Sequence, residues 1–209
     1  VHEVGHAIHS FLAHPLSLSA FKEYPMEIAE VASMSMELFT MNHWQAFFDN
    51  VHDLNRAQEH QLERTITIFP WIAIIDKFQH WVYENPNHSI EERTQAWITI
   101  AKEFSTNSID YSGLDQYRAI GWQRQLHLFE VPFYYIEYGI AQLGAIGMWM
   151  QYQKNPTLAL ENYMNALSLG GTKTLPELYQ TAGISFDFSP SYVKTLMDFT
   201  RDELEKLYQ

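Results

Sequence analysis

Apolar side chains recur at helical spacing along most of the chain, and runs that alternate with a period of two are nearly absent. In the first thirteen residues, the apolar positions three or four apart are Val4, Ile8, Phe11 and Leu12. This spacing is that of one face of a helix. The helix is expected to end at His14, because a residue before proline disfavours the helical conformation. The same period continues to the C-terminal residues, so the pattern predicts an all-α fold.

Proline, glycine and capping residues divide the rest of the chain into further helices. Ser89 and Glu92 have the spacing of a capping box, and Gly170 is typical of a helix C-terminus. Proline inside a helix removes a hydrogen bond, so a kink or a break is expected near Phe69 and Pro70. The predicted helices span residues 26–44, 50–84, 90–105, 132–154, 156–170, 175–181 and 190–207, with loops at 15–24 and 106–117.

The composition is that of a globular protein. Of the 209 residues, 46% are hydrophobic and 15% are aromatic, which is enough to build a substantial core. Neither internal repeats nor low-complexity segments interrupt the sequence. We therefore expect one compact helical domain over residues 1–209.

Charge and cysteine content exclude several classes of function. The net charge is −12, whereas nucleic acids and anionic membranes attract a basic surface, so neither is expected as a partner. No apolar run reaches the length of a transmembrane helix. The chain has no cysteine, so a metal site must use His, Asp or Glu, and a cytoplasmic location is expected.

The first residues contain the pattern H-E-x-x-H, formed by His2, Glu3 and His6. Residues four apart on a helix have Cβ atoms about 5–6 Å apart, so both imidazoles can bind one metal ion. Glu3 lies beside them and can reach a metal-bound water without being a ligand. The pattern is typical of zinc peptidases in which the glutamate is the general base. The pattern also arises by chance, so a third metal ligand is needed to decide whether these residues form a zinc site.

Glu30 is the candidate third ligand. It lies among small and apolar residues, Ala29, Val31 and Ala32, where an unpaired carboxylate is costly to bury. The preceding loop is long enough to return the second helix alongside the first. The alternative is a surface carboxylate that the helix dipole stabilises near a helix start.

Glu27 and Glu37 share a helix face with Glu30. Either carboxylate can accept a hydrogen bond from a ligand histidine, and solvated acids are the alternative. His9 follows His6 by one turn, but three successive histidines on a straight helix cannot all reach one ion. We expect His9 to pack against the second helix.

Three blocks of the sequence carry a family resemblance. They are HEVGHAIH at residues 2–9, YPMEIAEVASMSMEL at 24–38 and HLFEVPFYYIEYG at 127–139. Together they resemble the oligoendopeptidase F branch of the M3 metallopeptidases, relatives of thimet oligopeptidase and neurolysin. The resemblance implies a mostly helical zinc endopeptidase for short peptides, with a channel that excludes folded proteins.

The resemblance also implies the roles of the N-terminal block. It places one Zn²⁺ per chain on His2, His6 and Glu30, with an open coordination position for water. Glu3 is then the general base, which takes a proton from the attacking water and passes it to the leaving amine.

The third block supplies the residues implied to bind the oxyanion. The family's histidine falls on His127, and its tyrosines fall on or near Tyr134 and Tyr138. The spacing varies between branches, so Tyr135 remains a competitor. Tyr134 and Tyr138 are four apart, so a helix from Pro132 can point both hydroxyls into one cleft, where phenol donors contribute about 2–4 kcal/mol. The alternative is an aromatic core stripe beside a partly buried histidine.

Two interpretations of function remain. The first is a zinc-dependent endopeptidase for short peptides, and the second is a helical peptide-binding or metal-binding module that is inactive as an isolated fragment. A ligand at residue 2 would be poorly held at a fraying chain end, so an upstream portion of the same polypeptide is expected to complete the channel. An aminopeptidase of another glutamate-ligand family is disfavoured, since no motif for a substrate N-terminal amine is present.

Overall fold

The computed structural model describes residues 1–106 and 109–208. The regular structure of these residues consists of α-helices and 3₁₀ segments, with no strand among them, which confirms the predicted all-α class. No helix in this part of the chain combines the length and apolarity needed to cross a membrane. The α-helices are α1 (His2–Ala13), α2 (Ser19–Lys22), α3 (Met26–Thr40), α4 (Val51–Glu84), α5 (Ile90–Glu103), α6 (Asp115–Ala119), α7 (His127–Glu130), α8 (Ile136–Lys154), α9 (Pro156–Ser168), α10 (Leu175–Thr181) and α11 (Pro190–Lys206).

Three of the start and stop signals identified in the sequence are found where they were expected. Ser89 and Glu92 form a reciprocal capping box at the start of α5. Gly170 follows α9 with a φ of 51°, a left-handed conformation that glycine adopts without a Cβ penalty. α1 ends at Ala13, just before the His14-Pro15 pair.

Several element boundaries differ from the predictions. α3 ends at Thr40, and a 3₁₀ segment over Met41–Ala46 follows it. The predicted loop 15–24 contains the short helix α2. The predicted loop 106–117 ends in α6, and its residues 107 and 108 lie outside the described residues. These are local differences, and the order of the main helices is unchanged.

The helix break that was one of the two expectations near Pro70 was wrong, because α4 runs through this residue. Pro70 is exposed. A single proline on the solvent side does not end a helix of this length.

The prediction that Pro132 opens the long helix was also wrong. α8 begins at Ile136, and Phe133 has a φ of 63°, which is incompatible with a right-handed helix. Tyr134 therefore precedes α8, whereas Tyr138 lies in its first turn.

The chain divides into two compact units. The first unit comprises Val1–Ile66 and Ile140–Gln209, and the second comprises Thr67–Gly139. Both α4 and α8 contribute residues to each unit.

The core of the first unit includes the central part of α8. Residues 141–149 are all buried, and Trp149 packs edge-to-face on Phe199 of α11. α9 contacts α1, α3 and α10, and the Tyr163 hydroxyl donates to the Ala32 carbonyl at 2.8 Å. Burial raises the pKa of Tyr163. These contacts hold α1 and α3 in place.

The second unit has a core of its own, built from α4 and α5. Phe78 and Trp97 pack edge-to-face with ring centroids 5.1 Å apart, within a cluster of buried residues. Trp71, Leu128 and Tyr135 pack against this cluster. The core therefore supports the segment that contains the histidine and tyrosines of interest.

Candidate metal centre and histidine–tyrosine cluster

Gly5 allows the motif helix α1 to lie directly against α3. An added Cβ at Gly5 would lie 2.5 Å from both the Ala32 carbonyl oxygen and Ser33 Cα, closer than packed atoms approach one another. A glycine inside a helix otherwise costs about 1 kcal/mol relative to alanine. The close approach explains why a glycine stands between the two histidines.

The three predicted metal ligands converge on one point of the first unit. One ligand atom from each of His2, His6 and Glu30 lies within 4.8 Å of the others. The Nε2 atoms of His2 and His6 are 3.5 Å and 3.9 Å from Glu30 Oε2. The two imidazole rings are edge-to-face, with centroids 5.0 Å apart.

The spacing and burial of these groups fit a zinc ion. A charge-assisted hydrogen bond would bring nitrogen and oxygen to about 2.7–2.9 Å. Ligands at about 2.0–2.1 Å from a tetrahedral zinc are instead roughly 3.3 Å from one another, closer to the observed separations. Glu30 is only 6% exposed, so its carboxylate requires a compensating positive charge. Two imidazoles and one carboxylate are also a known donor set for catalytic zinc.

Glu37 sets the tautomer of His2. Its Oε1 lies 2.6 Å from His2 Nδ1, and because an ionised carboxylate can only accept, Nδ1–H must donate. Nε2 of His2 then keeps its lone pair for a metal. Gln61 of α4 donates from Nε2 to Glu37 Oε2 at 2.7 Å. The sequence left Glu27 and Glu37 open as partners for a ligand histidine, and the structure selects Glu37.

Ser33 and Gln61 make hydrogen bonds around the cluster of His2, His6 and Glu30, and the sequence did not indicate either residue. The Ser33 hydroxyl lies 3.1 Å from Glu30 Oε2, to which it donates. Ser33 follows Glu30 by three residues, so helical neighbour spacing was an available signal. Gln61 lies far from Glu37 along the chain, and no local pattern indicates it.

Glu3 and His9 share α1 but have different surroundings. Glu3 is exposed, so its carboxylate is accessible to water and to a substrate. His9 is fully buried, and its ring stacks on Tyr24 with centroids 3.4 Å apart. Burial, and to a smaller extent His6, lowers the pKa of His9 to about 3. The stacking partner of His9, Tyr24, lies two residues before the start of α3.

His127 lies among three tyrosines in the second unit. Its ring centroid is 5.9 Å from Tyr134, 5.0 Å from Tyr135 and 5.7 Å from Tyr138. The rings of Tyr134 and Tyr138 are 5.3 Å apart. The prediction placed Tyr134 and Tyr138 four residues apart on one helix. In the structure Tyr134 precedes α8 and follows Phe133, which has a left-handed backbone conformation. The structure thus brings the three predicted side chains of this block together.

Tyr138 and Tyr135 differ in the surroundings of their hydroxyl groups. The Tyr138 hydroxyl lies 3.3 Å from His127 Nε2, within hydrogen-bond reach. Tyr135 packs against the hydrophobic cluster of the second unit, and burial raises its pKa, partly opposed by a hydrogen bond with Trp71. This geometry favours Tyr138 as the functional partner of His127 and Tyr135 as a core residue.

Comparison with known proteins assigns the family. The family model described as Peptidase family M3 matches residues 1–198. The chain belongs to peptidase family M3. The matched range includes both the cluster of His2, His6 and Glu30 and the histidine–tyrosine block.

This M3 chain is similar to bacterial oligopeptidases. It is 21% identical to the Oligoendopeptidase F homolog of Borreliella burgdorferi, covering 100% of this chain and 36% of the relative. It is 22% identical to Oligopeptidase PepF of Bacillus subtilis, covering 99% of this chain and 31% of the relative. A solved structure of PZ peptidase A with an inhibitor superposes with a TM-score of 0.90 at 33% identity, over 98% of this chain and 36% of that one. The chain thus spans about a third of the length of the relatives it matches.

Proposed function

We propose that this M3 chain carries the catalytic site of a zinc-dependent endopeptidase that hydrolyses short peptides. The convergence of His2, His6 and Glu30 within 4.8 Å carries the proposal. An exposed glutamate, Glu3, lies next to the first of these ligands. The names of the relatives, an oligoendopeptidase F homolog and an oligopeptidase, support the same class of reaction.

His2, His6 and Glu30 would hold one zinc ion per chain. The hydrogen bond from His2 to Glu37 supports this role, because it leaves Nε2 of His2 as the metal-binding nitrogen. When bound, zinc supplies a Lewis acid that polarises a carbonyl group and lowers the pKa of water to about 7. The buried carboxylate of Glu30 would balance part of the charge of the ion.

Glu3 is the proposed general base. Its carboxylate takes a proton from the attacking water and delivers that proton to the amide nitrogen as the peptide bond breaks. Two observations support this role: Glu3 follows His2 directly in α1, and its side chain is exposed.

His127, Tyr134 and Tyr138 are the proposed donors to the oxyanion. The contact between His127 and the Tyr138 hydroxyl supports this assignment, as does the packing of the Tyr134 ring on Tyr138. Donors held in place before the reaction need no reorganisation in the transition state, and one such donor is worth about 10²–10³ in kcat.

Replacement of Glu3 tests the chemical role directly. Glu3→Gln should keep bound zinc, measured by elemental analysis, and should lose about 10²–10⁴ of the cleavage rate of a quenched peptide. Glu161→Gln is a matched control, because Glu161 is exposed on α9 and should leave both properties unchanged. Substantial residual turnover in Glu3→Gln would reject the general base.

Replacement of Glu30 tests the metal site. Glu30→Ala removes the buried carboxylate, so the zinc content of the purified protein should fall. An unchanged zinc content would count against the ligand role, whatever the activity of the variant.

The upstream portion of the polypeptide is proposed to complete the peptide-binding channel. The chain covers only about a third of its relatives' length, which supports a requirement for more polypeptide. Peptide cleavage should therefore be compared between the 209-residue chain and a longer polypeptide that contains it, with and without a chelator. Peptide binding without cleavage in both forms would favour the alternative, a binding module without activity.

A further inference from the structure

Two hydrogen-bonding contacts link a tryptophan to the proposed catalytic histidine, and a third links that histidine to a tyrosine. The Trp71 indole donates from Nε1 to Gln125 Oε1 at 3.1 Å, and the same N–H also interacts with the Tyr135 hydroxyl. Gln125 Nε2 lies 2.6 Å from His127 Nδ1, and His127 Nε2 lies 3.3 Å from the Tyr138 hydroxyl. All five residues belong to the second unit, Thr67–Gly139.

The first donor determines the direction of the next two contacts. An indole N–H can only donate, so the carbonyl oxygen of Gln125 must face Trp71. The amide NH₂ of Gln125 then faces His127, and Nδ1 of His127 has to accept. A neutral imidazole with a lone pair on Nδ1 carries its hydrogen on Nε2. His127 therefore donates from Nε2 towards the Tyr138 oxygen.

We propose that Gln125, oriented by Trp71, is a positioning residue that holds His127 in the tautomer with hydrogen on Nε2. The catalytic consequence rests on the proposed peptidase function. In this tautomer Nε2 of His127 carries a hydrogen that it can offer to negative charge, directly or through Tyr138. The opposite tautomer would present a lone pair from Nε2 and would repel a developing oxyanion.

The partner of His2 supports this interpretation by contrast. Nδ1 of His2 faces the carboxylate of Glu37, an acceptor, which leaves Nε2 with the lone pair that a metal requires. Nδ1 of His127 faces an amide NH₂, a donor, which leaves Nε2 with a hydrogen. The two histidines thus have opposite partners, and each partner matches the role proposed for Nε2.

The tautomer can be measured without any assay of activity. Long-range ¹H–¹⁵N correlation spectra of the imidazoles, recorded at pH 8 on the zinc-loaded protein, distinguish the two neutral tautomers of His127. The native protein should show hydrogen on Nε2. A native His127 with hydrogen on Nδ1 would overturn the proposal.

Gln125→Glu is the decisive variant, because it is nearly isosteric but its carboxylate cannot donate to Nδ1. His127 should then carry hydrogen on Nδ1, and kcat should fall by about tenfold or more, while KM changes by less than about threefold. Gln123→Glu is the matched control: it adds the same charge at an exposed position two residues away, and should change neither the spectrum nor kcat. An unchanged tautomer in Gln125→Glu would overturn the proposal.

Trp71→Phe provides a second variant if Gln125→Glu does not fold. It removes the indole N–H that orients Gln125 and keeps an aromatic ring, so the amide can turn over and both tautomers of His127 should be populated. Retention of hydrogen on Nε2 alone would contradict the role of Trp71.

If the spectra behave as expected but no form of the protein cleaves peptides, the peptidase function fails and the positioning role stands. If peptides are cleaved but the tautomer of His127 is the same in the variants as in the native protein, the positioning role fails and the peptidase function stands.

Discussion

The carboxylate of Glu37 lies 2.6 Å from Nδ1 of His2 and links α3 to the first residue of α1. A residue at a helix start has a backbone N–H without a helical partner and tends to fray. The bond to Glu37 restrains the His2 ring, and Gln61 of α4 in turn restrains Glu37. The metal-binding geometry therefore depends on three helices of the first unit.

Loss of the Glu37 carboxylate should weaken zinc binding. Glu37→Ala removes the acceptor for His2 Nδ1, so the zinc dissociation constant should rise by about 10–100-fold. Competition with a chromophoric chelator measures this affinity. Glu161→Ala, at an exposed position of α9, should leave the affinity unchanged, and equal affinities for the two variants would contradict the role of Glu37.

A side chain at Gly5 should separate α1 from α3. The Cβ of Gly5→Ala would lie 2.5 Å from the Ala32 carbonyl oxygen, so the free energy of unfolding should fall by about 1–3 kcal/mol, and zinc content should fall with it. Urea unfolding and elemental analysis measure the two effects. Ala7→Gly, at an exposed position of α1, should lose only about 1 kcal/mol and keep zinc. A more stable Gly5→Ala protein would show that helix propensity outweighs the clash.

His9 should make the stability of the protein sensitive to acid. Its pKa falls from 6.5 to about 3 in the fold because the ring is buried. Below pH 6.5, His9 therefore binds a proton in the unfolded chain, whereas in the folded chain it stays neutral down to about pH 3. This contribution to stability is complete above pH 6.5 and is lost as the pH falls towards 3, at up to about 1.4 kcal/mol per pH unit.

His9→Phe is the variant that measures this effect. It retains a ring to stack on Tyr24 and removes two ring nitrogens that lack hydrogen-bond partners among the described residues. Urea unfolding of metal-free protein between pH 7 and pH 4 should show a weaker pH dependence for His9→Phe than for the native chain. His14→Gln, at an exposed position, should behave like the native chain. Parallel curves for His9→Phe and the native chain would contradict the prediction.

The three tyrosines near His127 should differ in their effect on catalysis. Tyr138→Phe removes the hydroxyl that contacts His127 Nε2, so kcat should fall by about 10²–10³ with little change in KM. Tyr135→Phe removes a partly buried hydroxyl whose pKa is raised by burial, so it should affect stability more than kcat. Steady-state kinetics with a quenched peptide, together with thermal unfolding, separates the two. A larger loss of kcat in Tyr135→Phe would assign the oxyanion role to Tyr135.

Local patterns predicted the helices well where local chemistry decides the outcome. The capping box at Ser89 and Glu92 and the glycine after α9 were found as predicted, because their hydrogen bonds and backbone angles involve only neighbouring residues. The start of α8 was predicted incorrectly. Proline at position 132 is compatible with a helix start, but Phe133 adopts a left-handed conformation that no residue pattern indicated.

The sequence by itself determined the candidate ligand set, since helical spacing brings His2 and His6 together and the absence of cysteine limits the donors to imidazole and carboxylate. It also determined that Glu30 is a candidate, through its apolar neighbours. Only the tertiary structure decided that Glu37 and not Glu27 holds His2, that Gln61 holds Glu37, and that Trp71 and Gln125 face His127. Hydrogen bonds between residues distant in sequence depend on how helices pack, and side-chain periodicity along one helix carries no information about its neighbour's register.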